Sequence, residues 1–215
     1  MCGRYASTLA PETIARMFRI SGALPNIAPS WNVSPTQEAM VVRRHPESGE
    51  RHLSLLQWGL VPSWTKDLKQ ARRPINARAE TVASSGMFRG AYAARRAIVP
   101  ADAFYEWQAV DGGKQPYAIA RTDGQPIAFA GLWEGYRAPD GQVIRSFTIV
   151  TTTASDDVRM LHERMPVILE PDSWAGWLGE TGEDPAPLMR PAASGTLRIW
   201  KVGKAVNAPR NNSAD

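Results

Sequence analysis

Three Asp-Gly pairs, Asp111-Gly112, Asp123-Gly124 and Asp140-Gly141, stand between apolar runs in the middle of the chain and restrict its fold more than any other feature. An Asp-Gly turn reaches positive φ at low cost and twists as paired strands twist, so it favours a tight antiparallel hairpin. The runs around these turns, Phe104 to Val110, Tyr117 to Arg121, Ile127 to Trp133 and Val143 to Thr151, have the length and the β-branched and aromatic content of strands. Ala39 to Val42, Leu53 to Trp58 and Arg96 to Val99 precede them, and Arg198 to Val202 follows near the end. The pattern predicts an α+β fold built on a curled, mostly antiparallel sheet that closes towards a barrel.

Helices in this reading are few and short. Ala10-Pro11-Glu12 opens one, because Pro suits the first helical position and Ile14, Met17 and Phe18 then recur on one face. Ser155-Asp156-Asp157 has the capping side chain and acidic first turn of a second, with Val158, Leu161 and His162 on its inward face. A third runs from Pro171 to Leu178 and stops at Gly179. At 215 residues and 43% hydrophobic the chain can bury a full core as one domain, taken as residues 1–207, while the small polar tail 208–215 is expected to fray.

A single cysteine excludes an internal disulfide and suits a reducing compartment. No stretch of signal-peptide or membrane-spanning character is present, so a soluble, cytoplasmic, nucleoid-associated chain is expected. His45 and His52 flank a turn and His162 stands apart, so one cysteine and scattered histidines give no metal-ligand spacing, and neither a metal nor a cofactor is expected. The net charge of +4 is uneven. Residues 66 to 96 carry eight basic and two acidic side chains, which makes that stretch +6 and the remainder −2. Such an excess suits a polyanion, whose condensed counterions are released on binding, and it equally describes a solvated face.

Cys2 follows the initiator Met1, and a small residue there favours removal of the methionine. The product is a 1,2-aminothiol with an amine titrating near ~8 and a thiol near ~8.5. The amine can form a Schiff base with an aldehyde and the thiol can then close a thiazolidine ring, an outcome closed to an internal cysteine. Alone, Cys2 reads as readily as a small hydrophobe at a chain end. Glu106 lies among Phe104, Tyr105 and Trp107, where apolar neighbours would suit it to proton transfer, but strand alternation alone turns it to solvent. His162 is as well explained as a core histidine. Trp58 and Trp64 bracket a Gly and a Pro just before the basic stretch, the aromatic and cationic mixture that single-stranded nucleic acid takes up by stacking and phosphate contacts.

Taken together, Met1-Cys2-Gly3-Arg4-Tyr5, Trp31-Asn32-Val33-Ser34-Pro35, Trp58-Gly59-Leu60-Val61-Pro62, Asn76-Ala77-Arg78-Ala79-Glu80-Thr81, Phe104-Tyr105-Glu106-Trp107 and His162-Glu163-Arg164-Met165-Pro166 resemble the SOS response-associated peptidase family, in that family's order and over residues 1 to about 207. The resemblance implies a sensor of abasic sites in single-stranded DNA that shields them by a covalent thiazolidine through Cys2. It implies that Asn76 holds the α-amino group, Glu106 moves protons and His162 assists at the deoxyribose. Arg4, Arg78 and the Pro35 loop would line the phosphate path, Trp64 would stack or wedge, and Thr151 would add a hydrogen bond near the site. Thr65 stands where family members often carry a second aromatic, which leaves the stacking contribution open. Abasic single-stranded DNA and replication-fork proteins are the implied partners of a monomer. The rival activities are a thiol peptidase, with Cys2 attacking an amide and His162 as base, and a non-covalent module for single-stranded nucleic acid.

Overall fold

The computed structural model describes residues 2–214. In chain order its strands are β1 (Tyr5–Ser7), β2 (Ser30–Val33), β3 (Glu38–Arg44), β4 (Arg51–Trp58), β5 (Asn76–Arg78), β6 (Arg96–Ala101), β7 (Ala103–Val110), β8 (Gly113–Arg121), β9 (Ile127–Arg137), β10 (Val143–Thr153), β11 (Arg164–Pro166) and β12 (Leu197–Lys201). The α-helices are α1 (Pro11–Phe18), α2 (Arg89–Ala94) and α3 (Trp174–Leu178).

The strands make two sheets. One is open, in the order β12-β8-β7-β1-β2. In the other, β10, β4, β3, β6 and β9 follow in order and β9 pairs back to β10, which closes a five-stranded barrel with β5 and β11 attached to β10. All pairings are antiparallel except those of β10 with β4 and β5. The expected architecture is therefore present: a single domain of mostly antiparallel, curled sheet with short helices.

Two of the three Asp-Gly turns close hairpins. Val110 pairs with Gly113 around Asp111-Gly112, and Arg137 pairs with Val143 around Asp140-Gly141. Asp123-Gly124 instead carries the chain from β8 in the open sheet to β9 in the barrel. Local turn chemistry specifies a reversal of direction, but the partner of the next strand is decided by burial. The barrel's other crossing uses Gly59 at φ 119, where a Cβ would meet the Arg73 backbone oxygen at 3.3 Å. That glycine lets Leu60 and Val61 pass between Pro74 and Ser146, with N–H bonds of 3.1 and 2.8 Å.

One apolar core lies between the sheets. Tyr5 of β1 meets Trp58 at 5.1 Å and Phe129 at 6.0 Å, and Phe104 of β7 meets Phe129 at 5.8 Å, all edge to face. The opposite face of the barrel wall is covered by α1 and α3 through Ile14, Phe18, Trp174 and Trp177. Both sides of the wall are thus buried, which fixes strand register firmly.

The helix expected from Ser155 does not form. Residues 156–161 make consecutive turns, and the Asp157 carboxylate accepts from the N–H groups of Gly195 at 3.0 Å and Leu197 at 3.2 Å. An acidic side chain engaged with another segment cannot cap its own helix. The tail from Ala208, expected to fray, is also held: Asn32 Nδ2 donates to the carbonyls of Ala208 and Asn211, and Trp31 N–H donates to Asn212 Oδ1 at 2.7 Å. Composition does not display such amide clamps.

Candidate functional site

Cys2 sits where the two sheets meet. From the open sheet, Tyr105 N–H donates to the Arg4 carbonyl at 3.0 Å, extending the β1–β7 pairing towards the chain end. From the barrel, Asn76 Nδ2 donates to the Cys2 carbonyl at 2.8 Å. Cys2 is pinned from both sides and is fully buried in the core with Tyr5, Trp58 and Phe104. Its Sγ donates to the Arg4 carbonyl at a loose 4.0 Å. Burial pushes the thiol far above its ordinary range, and the nearby Glu106 carboxylate pushes it further in the same direction. The resident form is a neutral thiol.

Glu106 is 5% exposed, so the solvent-facing reading from strand alternation is overturned. The reason lies in β7 itself. Phe104 and Glu106 face inward, while Tyr105 and Trp107 pack against Val202 and Val206 of the C-terminal segment, so neither side of the first half of this strand is wet. Asn76 has a second polar atom, Oδ1, that is buried without a hydrogen-bond partner among the described residues. A buried acceptor left open beside the Cys2 backbone is a marked feature, because such groups cost stability when unpaired.

His162 completes the far side of the cleft, which is lined by Arg4, Glu106, Trp107, Lys114, His162 and Asn207 and encloses about 480 Å³. That volume is typical of ligand clefts. His162 Nδ1 accepts the Arg164 N–H at 2.9 Å, so a neutral ring carries its proton on Nε2. Arg164 is itself fixed by two bonds of 2.9 Å to Glu80 and one of 2.7 Å to the Thr151 carbonyl. Arg4 donates to Asn32 Oδ1 at 2.7 Å and the Val206 carbonyl at 2.8 Å, and lies 5.8 Å from the centre of the Trp107 ring. Partial burial lowers its pKa, and no carboxylate pairs with it among the described residues. The cleft thus presents a fixed cation, a buried carboxylate and an imidazole, with the fully buried Cys2 thiol close enough to the carboxylate to feel its charge.

The SOS response associated peptidase (SRAP) family profile matches residues 1–209. The chain belongs to that family. Abasic site processing protein YoqW of Bacillus subtilis is 36% identical across all of this chain and 98% of its own length. Abasic site processing protein YedK of Escherichia coli is 31% identical with the same coverage, and abasic site processing protein HMCES of Xenopus tropicalis is 28% identical over 77% of its length. A solved structure from Bacteroides thetaiotaomicron shares the fold at TM-score 0.85 and 21% identity, covering 97% of this chain and 96% of its own. One from Bordetella bronchiseptica reaches 0.80 at 31% identity, covering 94% and 100%.

The SRAP blocks converge unevenly. Arg4, Glu106 and His162 line one cleft, while Asn76 is bonded to the buried Cys2, whose thiol feels the Glu106 charge. Arg78 is exposed at the end of β5, two residues from Asn76. Thr151 is fully buried, its Oγ1 3.4 Å from the Ala77 carbonyl, so it braces β5 and Arg164 from behind. Pro35 follows β2, whose Val33 pairs with Tyr5, and its turn is tied to β4 by Thr36 N–H to the Trp58 carbonyl at 2.8 Å. Trp64 is 64% exposed over a separate depression shared with Thr65, Lys66 and Arg72. Trp107, Lys114 and Asn207 were not singled out as site residues from sequence. Lys114 and Trp107 had usable signals, since Lys114 follows the Asp111-Gly112 turn on the strand beside Glu106 and Trp107 ends the Phe104-Tyr105-Glu106-Trp107 block. Among the described residues no helix is long and apolar enough to cross a membrane, and no group of three or more His, Cys, Asp or Glu could hold a metal.

Proposed function

We propose that this protein captures the aldehyde of abasic sites in single-stranded DNA as a covalent thiazolidine on Cys2. The observation that carries this reading is the approach to Cys2 of the Asn76 amide and the buried Glu106 carboxylate, beside a cleft that Arg4, Glu106 and His162 line. The names of YoqW, YedK and HMCES, each an abasic site processing protein, supply the substrate class.

Loss of Met1, by an aminopeptidase or by the chain itself, frees the Cys2 α-amine. Asn76 holds the Cys2 carbonyl through Nδ2, and its open Oδ1 is the acceptor available to orient that amine. His162, with Nδ1 occupied, offers Nε2–H to the deoxyribose ring oxygen and promotes opening to the aldehyde. The amine adds to the aldehyde carbon, and the carbinolamine loses one water to give the imine. Sγ then adds to the imine carbon as the thiol proton passes to Glu106 and from it to the ring nitrogen. One aldehyde and one aminothiol give one thiazolidine and one water. A thiol held neutral by burial fits this order, in which the amine acts first. A lyase outcome would branch from the same imine.

A thiol peptidase has less support. It needs a thiolate next to a histidine, whereas among the described residues the hydrogen bond of Sγ goes to a backbone carbonyl and burial pushes the thiol away from ionisation. The test is a denaturing gel of the protein mixed with an abasic single strand, run for Cys2→Ala and Cys2→Ser. A retarded species is expected for the native chain alone, and the same heat-stable species in Cys2→Ala would overturn the proposal.

A further inference from the structure

A second concentration of positive charge lies at the other end of the chain. Residues 197 to 210 carry Arg198, Lys201, Lys204 and Arg210 and no acidic side chain, so outside this segment and residues 66 to 96 the protein is −6. All four cations are exposed, and none has a carboxylate partner among the described residues. Trp200 is 41% exposed, with the Arg198 guanidinium 5.0 Å from its ring centre. This is an edge strand, where unpaired aromatics invite aggregation unless charge or a partner protects them.

The segment is continuous with the cleft and fixed to it. Val202 N–H donates to the Pro116 carbonyl, Gln115 Nε2 donates to the Val202 carbonyl, and Trp107 Nε1 donates to Asn207 Oδ1 at 2.7 Å. Arg4 is held by the Val206 carbonyl of the same segment. By register, Trp200 lies opposite Ala118, which lies opposite Tyr105, so it shares the outer face of the open sheet with Trp107. Two strand spacings and two residues separate the two tryptophans, about 12 Å. That is a span of a few nucleotides.

Resting on the covalent-capture reading, we infer that β12 and the turn after it, through Arg198, Trp200 and Lys204, form a second track that takes the single strand on one side of the cleft. The occupant is single-stranded DNA on one side of the lesion. Its phosphates meet Arg198 and Lys204, and a base stacks on Trp200, whose ring Arg198 flanks on one side. Lys66, Lys69 and Arg72, exposed around Trp64, serve the strand on the other side, so the lesion is presented between two positive surfaces.

The test uses the full chain and single strands carrying a tetrahydrofuran abasic analogue, which cannot react. Binding is read by anisotropy over a range of salt, with long extensions on the 5′ side, on the 3′ side, or on neither. Arg198→Gln and Lys204→Gln together should flatten the salt slope by about 1.4 for one direction of extension only, from two contacts at about 0.7 each. Trp200→Ala should weaken the same complex about tenfold, and Lys66→Gln with Lys69→Gln should affect the opposite extension. An unchanged slope, or an equal loss for both extensions or for the unextended trinucleotide, would overturn the second track. Because the analogue reads binding alone, failure of Cys2 to form an adduct with a true abasic strand would refute the capture chemistry and leave this result standing.

Discussion

Replacing Asn76 with alanine separates a structural bond from a positioning one. In the native fold Asn76 Nδ2 donates at 2.8 Å to the carbonyl of a fully buried residue, and Asn76→Ala leaves that carbonyl without a partner. A buried acceptor stripped of its donor costs about 1–3 kcal/mol. The substitution also removes Oδ1, which is already unpaired, and this offsets part of the loss. A net of about 1–2 kcal/mol lowers the midpoint by about 3–6 °C in a chain of this length. At 25 °C the variant stays folded, so a purely structural role leaves the rate of adduct formation per molecule unchanged. If Oδ1 orients the Cys2 amine, the rate falls at least tenfold, the equivalent of one hydrogen bond to a charged group at about 1.5–3 kcal/mol. Asn76→Asp keeps the acceptor and loses the donor, so it should keep the melting defect while recovering part of the rate. Thermal melts and single-turnover gels on abasic single strands give both numbers. A melting shift of the stated size with a rate within twofold of native would refute the positioning role.

Glu106→Gln should slow adduct formation about a hundredfold by removing the proton carrier, while the pH profile of Cys2 alkylation moves to lower pH because a negative charge beside the thiol is gone. An alkylation profile that stays put would contradict the pairing of these groups. Because burial holds the thiol protonated in the fold while the unfolded thiol ionises near its ordinary value, Cys2 stabilises the fold below about pH 9 and loses that stabilisation as pH rises further. Urea midpoints should therefore fall more steeply above pH 9 in the native chain than in Cys2→Ser, by up to about 1.4 kcal/mol per pH unit. The Arg164 hydrogen bonds hold Glu80 below the usual carboxylate range, so this pair contributes above the unfolded carboxylate pKa and loses its contribution as pH falls through the lowered one. Glu80 is half exposed, which limits the stabilisation to about 0.5 kcal/mol. Glu80→Gln should melt about 1–2 °C below native at pH 7 and level with it at pH 3.

The hairpins at Asp111-Gly112 and Asp140-Gly141 were legible because a turn and its two strands are one local unit. The role of Asp123-Gly124 was not, since choosing between two sheets depends on which apolar faces meet. Strands β1, β2, β5 and β11 have only three or four residues each, too few to show alternation, and they exist through their partners. Yet β1 and β5 are the strands that bring Cys2 to Asn76. The site was therefore readable through the joint pattern of sequence blocks and not through periodicity. Glu106 shows the limit most clearly: alternation gives one wet face per strand, but the C-terminal segment covers the second face of β7 from nearly a hundred residues away. The same long-range closure hid Asn207 as a cleft residue and Asp157 as a clamp.

The central claim rests on which atoms of Cys2 react, and intact-mass spectrometry before and after mixing with an abasic single strand tests it directly. The account predicts a protein lacking Met1 that gains the mass of the oligonucleotide less one water, with the adduct on the N-terminal peptide and neither a free thiol nor a free α-amine at Cys2. An adduct on a chain that retains Met1, or one whose Cys2 thiol still alkylates, would contradict it.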